Sequence, residues 1–285
     1  MSEPALSFSA EIHDRISQRN FNRLARFIQG YSGIKMPPTK KTMLEGRLRR
    51  RLRATGAASF DSYCDFLFED GGLEAETIHL IDAVTTNKTD FFREPKHFSY
   101  LADVVLPSLA KQGVRNLRAW SSACSTGAEP YTLAMVLDHF AERSSGFRYF
   151  VLATDLSTDV LASAQAGVFR REMVAPVPAE LYRRYVTTPR DRLRQDVRIH
   201  PSLRAKVGFA RLNLMDESYP VGEPFDLIFC RNVMIYFDKP TQAAVLQRLC
   251  GRLKSGGYLF IGHSETIAGV DLPVVQVANT IFQKT

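Results

Sequence analysis

The sequence lacks the features that mark membrane-spanning, secreted and cysteine-rich metal-binding proteins. Its four cysteines, Cys64, Cys124, Cys230 and Cys250, form no CxxC pair, so neither a disulfide framework nor a zinc site is indicated. No run approaches the ~20 apolar residues that span a bilayer. The first 14 residues, MSEPALSFSAEIHD, lack the basic start and apolar stretch of a signal peptide. We therefore predict a cytoplasmic protein with reduced thiols, no bound metal and no membrane insertion.

Acidic residues are outnumbered by basic ones. The formal net charge is +7 at pH 7, and the sequence pI is near 9.3. This balance indicates an acidic partner, which could be nucleic acid, a membrane surface or an acidic protein. Charge alone does not choose among these three.

The chain up to about Val84 has a helical pattern. Phe21, Leu24 and Ile28 recur at helical spacing before Gly30 and Gly33. A second helix is predicted after Pro37-Pro38, with Leu44, Leu48 and Leu52 on one face and basic residues on the others. Two further helical segments follow, so residues 1–84 are predicted to form a small all-helical domain.

From about Leu117 the pattern changes to short apolar runs that alternate with helical segments. The runs are LRAWSSA, YFVLATDL, FDLIFCRNV and GYLFIGHS. Such alternation predicts an α/β domain with a parallel sheet covered by helices, here over residues 117–285. The charged stretch from Tyr185 to Phe209 interrupts it, and we predict a small antiparallel β-subdomain at about 185–210.

Two strand ends suggest a ligand site. The first strand runs into SSACSTGAEPYTLA, a loop of small residues before a helix, where backbone can approach a ligand closely. An ordinary strand-to-helix turn would look the same. The second strand ends at Asp155, where nucleotide-binding folds hold ribose hydroxyls, although Asp155 could instead cap the next helix. Together the two features favour binding of an adenosyl group.

The absence of two nucleotide-binding motifs limits which class of ligand is expected at these strand ends. The first loop lacks the glycine spacing of a dinucleotide-binding turn, and GxxxxGK[ST] does not occur in the chain. A ligand with a ribose but no phosphate fits better than NAD or a nucleoside triphosphate. S-adenosylmethionine is such a ligand.

Four longer segments carry a more specific signal than the strand ends alone. They are VTTNKTDFFRE at 84–94, WSSACSTGAEPY at 120–131, FCRNVMIYF at 229–237 and GGYLFIGHSE at 256–265. In this order they resemble the chemotaxis-receptor glutamate methyltransferases, the CheR family. The departures are Val84 in place of leucine and STGAEP in place of STGEEP, and both leave the polar positions intact.

The resemblance implies a helical N-terminal domain joined to a class I S-adenosylmethionine-dependent methyltransferase fold of Rossmann-like type with a small β-subdomain. Residues 85–116 are expected to link the domains and to contribute to the cofactor site. Carried over by motif, the expected cofactor-binding residues are Asn87, Thr89, Arg93, Glu129, Asp155, Asn213, Leu214, Arg231 and Asn232. The implied reaction methylates glutamate side chains of methyl-accepting chemotaxis proteins, with S-adenosylhomocysteine as the other product.

Arg93 and Tyr236 are the predicted catalytic residues. A guanidinium can hold a substrate carboxylate through two hydrogen bonds, and a tyrosine hydroxyl can donate one. The alternative for Arg93 is a surface ion pair with Asp90 or Glu94, and the alternative for Tyr236 is core packing. A pocket for amino-group methylation of bases, [DN]PP[YFW], is replaced by RNVMIY, which argues against nucleic acid as the substrate.

The basic second helix is the predicted receptor-docking surface, through Arg47, Arg50, Arg51 and Arg53. Its alternative is an ordinary solvated cationic face. Family members that grip a receptor's C-terminal pentapeptide carry a GxGPxxG turn, whereas this chain has Thr188-Pro189-Arg190-Asp191-Arg192-Leu193, so tether-independent action is predicted. A monomer is expected. The rival function is an adaptor that senses S-adenosylmethionine without catalysis, and a nucleic-acid methyltransferase ranks third.

Overall fold

The computed structural model describes residues 15–191 and 194–285, and its contacts divide the chain into two compact units, 1–85 and 86–285. The 14 N-terminal residues without a signal-peptide pattern lie outside the described residues. So do Arg192 and Leu193 of the segment that replaces the glycine-rich turn. Within the two described ranges, no helix is both long and apolar enough to cross a membrane.

The first unit is helical throughout its described part. Its helices are α1 (Gln18–Ser32), α2 (Lys41–Thr55), α3 (Phe60–Phe68) and α4 (Leu73–Val84), with a 3-10 turn at Pro38–Lys40. Ser17 is the N-cap of helix α1, and its side chain accepts from the Asn20 N–H. The helix passes through Gly30, and Gly33 is its C-cap. Leu44, Leu48 and Leu52 are fully buried, as the helical spacing predicts.

The basic helix α2 divides into internal and exposed arginines. Arg51 makes two hydrogen bonds to the Glu76 carboxylate, of 2.6 and 2.7 Å, and the Tyr63 hydroxyl donates to the same carboxylate at 2.9 Å. Arg47 donates to the carbonyls of Val84 and Thr85 at the end of α4. Arg50 and Arg53, in contrast, are exposed.

The second unit holds the remaining elements. Its helices are α5 (Pro95–Tyr100), α6 (Leu106–Lys111), α7 (Ala128–Glu142), α8 (Thr158–Ala166), α9 (Ala179–Tyr185), α10 (Pro201–Arg204) and α11 (Lys239–Gly251), with a π-helical turn at Leu101–Val105 and a 3-10 turn at Met234–Tyr236. Its strands are β1 (Asn116–Ser121), β2 (Arg148–Asp155), β3 (Val168–Arg170), β4 (Val186–Thr187), β5 (Asp196–Ile199), β6 (Val207–Arg211), β7 (Phe225–Cys230), β8 (Leu253–Ile261), β9 (Val274–Ala278) and β10 (Ile281–Lys284).

Seven strands form one sheet in the order β6-β2-β1-β7-β8-β10-β9. Strands β6, β2, β1, β7 and β8 pair in parallel, and β10 runs antiparallel to both of its neighbours. From β1 the chain first builds the sheet outward through β2 to β6, and then returns to add β7 on the other side of β1. The order therefore reverses between β1 and β7.

The central strands bury both of their faces. Leu117 and Ala119 of β1 lie in one apolar cluster with residues of α7, whereas Trp120 lies in another with residues of α11. Strands β7 and β8 alternate between the same two clusters. Successive side chains of a strand point to opposite faces of the sheet, and here both faces are apolar. A parallel sheet that is covered by helices on both sides has this pattern. The predicted α/β class with a preceding all-helical domain is confirmed.

A separate three-stranded antiparallel sheet has the order β3-β5-β4, and its extent differs from the prediction at both ends. Strand β3 at Val168–Arg170 belongs to it, although three residues are too few to show a pattern. Strand β6 does not belong to it, because it pairs in parallel with β2. Strand β6 is the edge of the large sheet and only partly buried, so its sequence resembles that of an exposed strand.

Replacing Arg51 by alanine should destabilise the helical unit by about 3 kcal/mol, because the buried Glu76 carboxylate would lose its charged partner. Arg50→Ala on the same helix is the matched control and should change stability by less than about 0.5 kcal/mol. Urea unfolding followed by circular dichroism measures both. Equal effects of the two substitutions would show that the Arg51 pair is not structural.

Candidate active site

The carboxyl ends of the parallel strands bring the predicted cofactor residues to one edge of the large sheet. Ser121 ends β1, Asp155 ends β2, and Arg231 follows β7 directly. Ligands of open α/β sheets bind in the crevice at such ends, where the strand order reverses. In this sheet that position lies between β1 and β7.

The small-residue loop after β1 connects two of the predicted residues. The Ser125 N–H donates to Asp155 Oδ2 at 2.8 Å, and the Ser125 hydroxyl donates to the Asn87 carbonyl, also at 2.8 Å. Ser125 itself has a φ of 49°, in the left-handed region. Asn87, the first loop and Asp155 thus meet at one place.

Gly127 allows the loop to turn into α7. Its φ is 96°, and a Cβ at this position would lie 2.9 Å from the Ala164 Cβ. A side chain is therefore excluded by both conformation and contact. Small residues here serve close packing of the loop against α8, which is more than an ordinary strand-to-helix turn requires.

Asp155 is not the N-cap of the helix that follows it. The N-cap of α8 is Ser157, whose side chain accepts from the Val160 N–H. Asp155 Oδ1 accepts from the Ser157 N–H at 3.0 Å, so the carboxylate bridges the start of α8 and the loop after β1. Its position at the strand tip is held from two sides.

Arg231 is the centre of the charged network on the β7 side. Its side chain is only 2% exposed, and Nη2 lies 2.9 Å from Glu94 Oε2 while Nη1 lies 3.2 Å from Glu129 Oε2. Nη2 also donates to the Arg93 carbonyl. The guanidinium plane therefore joins the segment before α5, the start of α7 and the end of β7.

Glu94 is held on its other side by donors from two more loops. Its Oε1 accepts from Asn232 Nδ2 at 3.1 Å and from the His263 N–H at 3.2 Å. Burial acts to raise its pKa, but the charge of Arg231 and these hydrogen bonds outweigh burial and lower the pKa to about 2. Glu94 is thus an anion at any physiological pH.

Glu129 is the second carboxylate on Arg231. The Ser121 hydroxyl donates to its Oε1 at 2.7 Å, which links the end of β1 to the first turn of α7. Burial raises its pKa, and the Arg231 charge and the Ser121 bond partly offset that effect. The pKa of Glu129 therefore lies above its usual value.

Glu265 organises the loop that carries Tyr236. Its carboxylate accepts from the N–H groups of Asn232, Met234 and Gly262, at 3.0, 2.7 and 2.6 Å. Burial raises its pKa, and these backbone donors act in the opposite direction. Because Asn232 has a φ of 58°, the bonds hold a sharp turn between β7 and the 3-10 turn at Met234–Tyr236.

Arg93 lies between two left-handed residues. Phe92 has a φ of 53° and Glu94 a φ of 58°. Arg93 Nη1 donates to the Lys88 carbonyl at 3.0 Å. Within the described ranges no ion pair joins Arg93 to Asp90 or Glu94, so the surface-pair alternative is wrong.

The remaining predicted residues are less uniform. Tyr236 is half-buried and packs beside the second apolar cluster, so part of its ring does serve the core. The Asn213 side chain accepts from the Met215 N–H at 3.0 Å, and the preceding residue donates to the Asp155 carbonyl. Leu214 is buried in the second cluster, and its carbonyl accepts from the Tyr219 hydroxyl. Thr89 is half-buried.

Two family models match the chain. One described as "CheR methyltransferase, SAM binding domain" matches residues 87–282, and one described as "CheR methyltransferase, all-alpha domain" matches residues 19–85. The chain belongs to the CheR methyltransferase family. The predicted fold class, enzyme class and cofactor are thereby confirmed: this is an S-adenosylmethionine-dependent methyltransferase.

Proteins named "Chemotaxis protein methyltransferase" are similar over almost their whole length. The one from Borreliella burgdorferi is 39% identical over 89% of this chain and 90% of its own. The one from Escherichia coli is 38% identical over 94% of this chain and 91% of its own. The one from Salmonella typhimurium is 40% identical over 90% of this chain and 86% of its own.

The chemistry of the crevice fits the CheR cofactor. S-adenosylmethionine carries a sulfonium and an ammonium group, and Glu94 and Glu129 place carboxylates beside the crevice. Asp155 stands at the strand tip where ribose hydroxyls are held in nucleotide-binding sheets. When bound, the cofactor supplies the electrophilic methyl group.

Several residues of this network were missed by sequence reasoning. Glu94 and Glu265 end the quoted segments FFRE and GHSE, and Ser125 lies inside the small-residue loop. An acid that ends an otherwise apolar or aromatic segment was the available signal. What the sequence could not supply was its partner, since Glu94 and Arg231 are 137 positions apart.

Gly262 packs against Asn232 and Glu265, so a substitution there disturbs the network around Arg231 and Glu265 without removing any of its polar groups. A Cβ there would lie 2.6 Å from Asn232 Nδ2 and 2.8 Å from Glu265 Oε2, so Gly262→Ala must displace one or both. We expect cofactor affinity, measured by calorimetry, to fall by about tenfold or more. Gly251→Ala at the end of α11 is the control, because apart from its chain neighbours and the backbone of its own helix no atom lies within 4 Å of the added Cβ. Unchanged affinity in Gly262→Ala would show that the network does not shape the crevice.

Proposed function

We propose that this chain transfers the methyl group of S-adenosylmethionine to glutamate side chains of methyl-accepting chemotaxis receptors, forming methyl esters. The names of its relatives support the substrate class. The observation that carries the proposal is the Arg231 network, which connects the Arg93 backbone to the turn that leads to Tyr236. This connection supports a position beside the cofactor for two groups that suit a carboxylate acceptor.

The reaction needs alignment more than acid–base chemistry. A glutamate side chain has a pKa near 4.3 and is already ionised at neutral pH, so no general base is required. The methyl carbon is displaced in line, with the carboxylate oxygen forming the new bond as the bond to sulfur breaks. The protein has to orient the carboxylate and replace part of its water shell.

Arg93 and Tyr236 are proposed for this role. The fixed carbonyl of Arg93 and the left-handed backbone on either side of it restrict where the guanidinium can reach. Tyr236 lies on a turn whose start is held by Glu265. The two side chains would hold the incoming carboxylate in position and leave its charge largely available for attack.

Each of the cofactor-binding residues is proposed to have its own role. Asp155 ends β2, Asn213 follows β6, and the Asn87 carbonyl accepts from Ser125 in the loop after β1. Arg231 is fully engaged by Glu94 and Glu129, so its proposed role is to hold these acids. Leu214 would act by packing or through its backbone. Thr89, Glu129 and Asn232 complete the proposed set.

The function is tested with tritium-labelled S-adenosylmethionine and membranes that contain chemoreceptors. Label that is released by mild base from the receptor band is the expected result, because methyl esters hydrolyse readily in base. Label on added RNA would favour a nucleic-acid methyltransferase. Intact cofactor binding without label on any acceptor would favour a sensing adaptor, and either of these results overturns the proposal.

Tyr236→Phe separates alignment from cofactor binding. The substitution removes one hydroxyl and keeps the ring that packs on the second apolar cluster. We expect kcat to fall by about 10- to 100-fold with cofactor affinity unchanged. Tyr182→Phe on α9 is the matched control and should leave both quantities unchanged. An unaltered kcat in Tyr236→Phe would restrict this side chain to packing.

Receptor docking is proposed for the exposed part of α2. Arg50 and Arg53 point to solvent, whereas Arg51 and Arg47 are bonded within the helical unit. An acidic receptor surface would therefore meet the exposed pair, and the internal pair would keep the helix in place. The electrostatic attraction acts mainly on the rate and specificity of encounter.

The double variant Arg50→Glu/Arg53→Glu tests this surface. We expect kcat/KM for receptor to fall by about tenfold or more while cofactor affinity stays constant. The control is Arg19→Glu/Arg26→Glu, which reverses two exposed arginines of α1 and changes the net charge equally. Equal losses in both variants would attribute the effect to overall charge, and no loss would remove docking from α2.

Three further properties are proposed with the function. The replacement of the glycine-rich turn, part of which lies outside the described residues, supports action without a receptor tether. The four cysteines are buried free thiols, which supports a reducing, cytoplasmic compartment. We expect the enzyme to act as a monomer.

A further inference from the structure

Glu94, His97 and His263 bring three metal-ligating groups together at the edge of the crevice. One candidate atom from each residue lies within 4.8 Å of the other two. We infer that these three residues form a binding site for one divalent transition-metal ion of the zinc class. The inference is independent of which substrate the enzyme methylates.

The separations suit tetrahedral coordination. His97 Nδ1 lies 3.5 Å from Glu94 Oε2, and His263 Nε2 lies 3.9 Å from the same oxygen. Zinc bonds of about 2.0 to 2.2 Å in tetrahedral geometry require ligand atoms roughly 3.3 to 3.5 Å apart. Small side-chain adjustments would therefore bring all three atoms onto one ion. Two imidazoles and one carboxylate form a ligand set that proteins use for zinc with an open fourth position.

One arrangement of the hydrogen bonds around His97 leaves its Nδ1 available to a metal ion. The Thr280 hydroxyl oxygen lies 2.8 Å from the Asn279 carbonyl and 2.9 Å from His97 Nε2, so when the hydroxyl donates to that carbonyl its oxygen accepts from His97 Nε2. In the neutral ring the lone pair is then on Nδ1. Thr280 orients the imidazole in the way that outer-shell partners orient metal-bound histidines.

That lone pair is aimed at a carboxylate. His97 is 1% exposed, and within the described ranges its Nδ1 has no hydrogen-bond partner. A nitrogen lone pair that faces a carboxylate oxygen at 3.5 Å is repulsive unless a cation lies between them. Either a proton on Nδ1 or a metal ion removes the repulsion.

Two observations favour a metal ion over the proton. His263 Nε2 is a second imidazole nitrogen near the same oxygen, at 3.9 Å, and a proton shared by His97 and Glu94 would not use it. The His263 side chain is 41% exposed, so an ion has a path from solvent. Arg231 occupies one side of Glu94 Oε2 and also pairs with Glu129, so its positive charge is shared between two carboxylates.

The experiment uses the full chain, prepared without a polyhistidine tag and dialysed against EDTA. Zinc chloride is titrated by calorimetry, and cobalt(II) is added separately to record its visible absorption. We expect one zinc ion per chain and the intense absorption of tetrahedral cobalt. His263→Gln should weaken zinc binding by at least about tenfold, because it removes a ligand and keeps the backbone N–H that bonds Glu94.

His79→Gln, which changes an exposed histidine of α4, is the matched control and should bind zinc like the unaltered chain. Thermal unfolding gives a second readout, since an ion that binds only the folded state raises its melting temperature. The shift should be present in His79→Gln and lost in His263→Gln. Absence of stoichiometric binding, or equal binding by both variants, would overturn the proposal and leave a proton between His97 and Glu94.

Discussion

Arg231 leaves the carboxyl end of β7 with its guanidinium almost excluded from solvent. A charge so buried costs several kcal/mol in lost hydration, which is recovered only when its hydrogen bonds are satisfied with good geometry. Glu94, Glu129 and the Arg93 carbonyl satisfy them. Because these partners come from two segments distant from β7 in sequence, compensation of one charge also fixes the geometry of the crevice.

The sheet makes this compensation possible. Its parallel strands all end at the same edge of the sheet, so residues that are distant in sequence lie close together there. The apolar clusters on the two faces are rigid supports for loops that are themselves polar and sharply turned. Positive φ values at Phe92, Glu94, Ser125 and Asn232 are all found in these loops. Such strain persists only where surrounding bonds over-determine the backbone.

Periodicity predicted the helical unit and the central strands, because those segments are buried and their patterns are strong. Strand β6 and the three-residue β3 were misassigned or missed, since an edge strand looks partly exposed and a short one shows no period. At the site, motif and strand-end reasoning predicted Asp155, Glu129 and Arg231 as cofactor residues, and all three lie at the carboxyl edge of the large sheet. It missed Glu94 and Glu265, whose importance depends on partners supplied by folding.

The basic helix illustrates the same limit for charge. A count of charges in the sequence treats its arginines as one cationic surface. In the structure, however, Arg51 pairs with Glu76, and Arg47 donates to carbonyls at the end of α4. Only arginines whose charge reaches solvent can attract an acidic receptor, and Arg50 and Arg53 meet that condition. A cation that is already paired contributes to the shape of the docking surface through the stability of the helix. Specificity for a receptor would then depend on fewer charges than the composition suggests, and each of them would matter more.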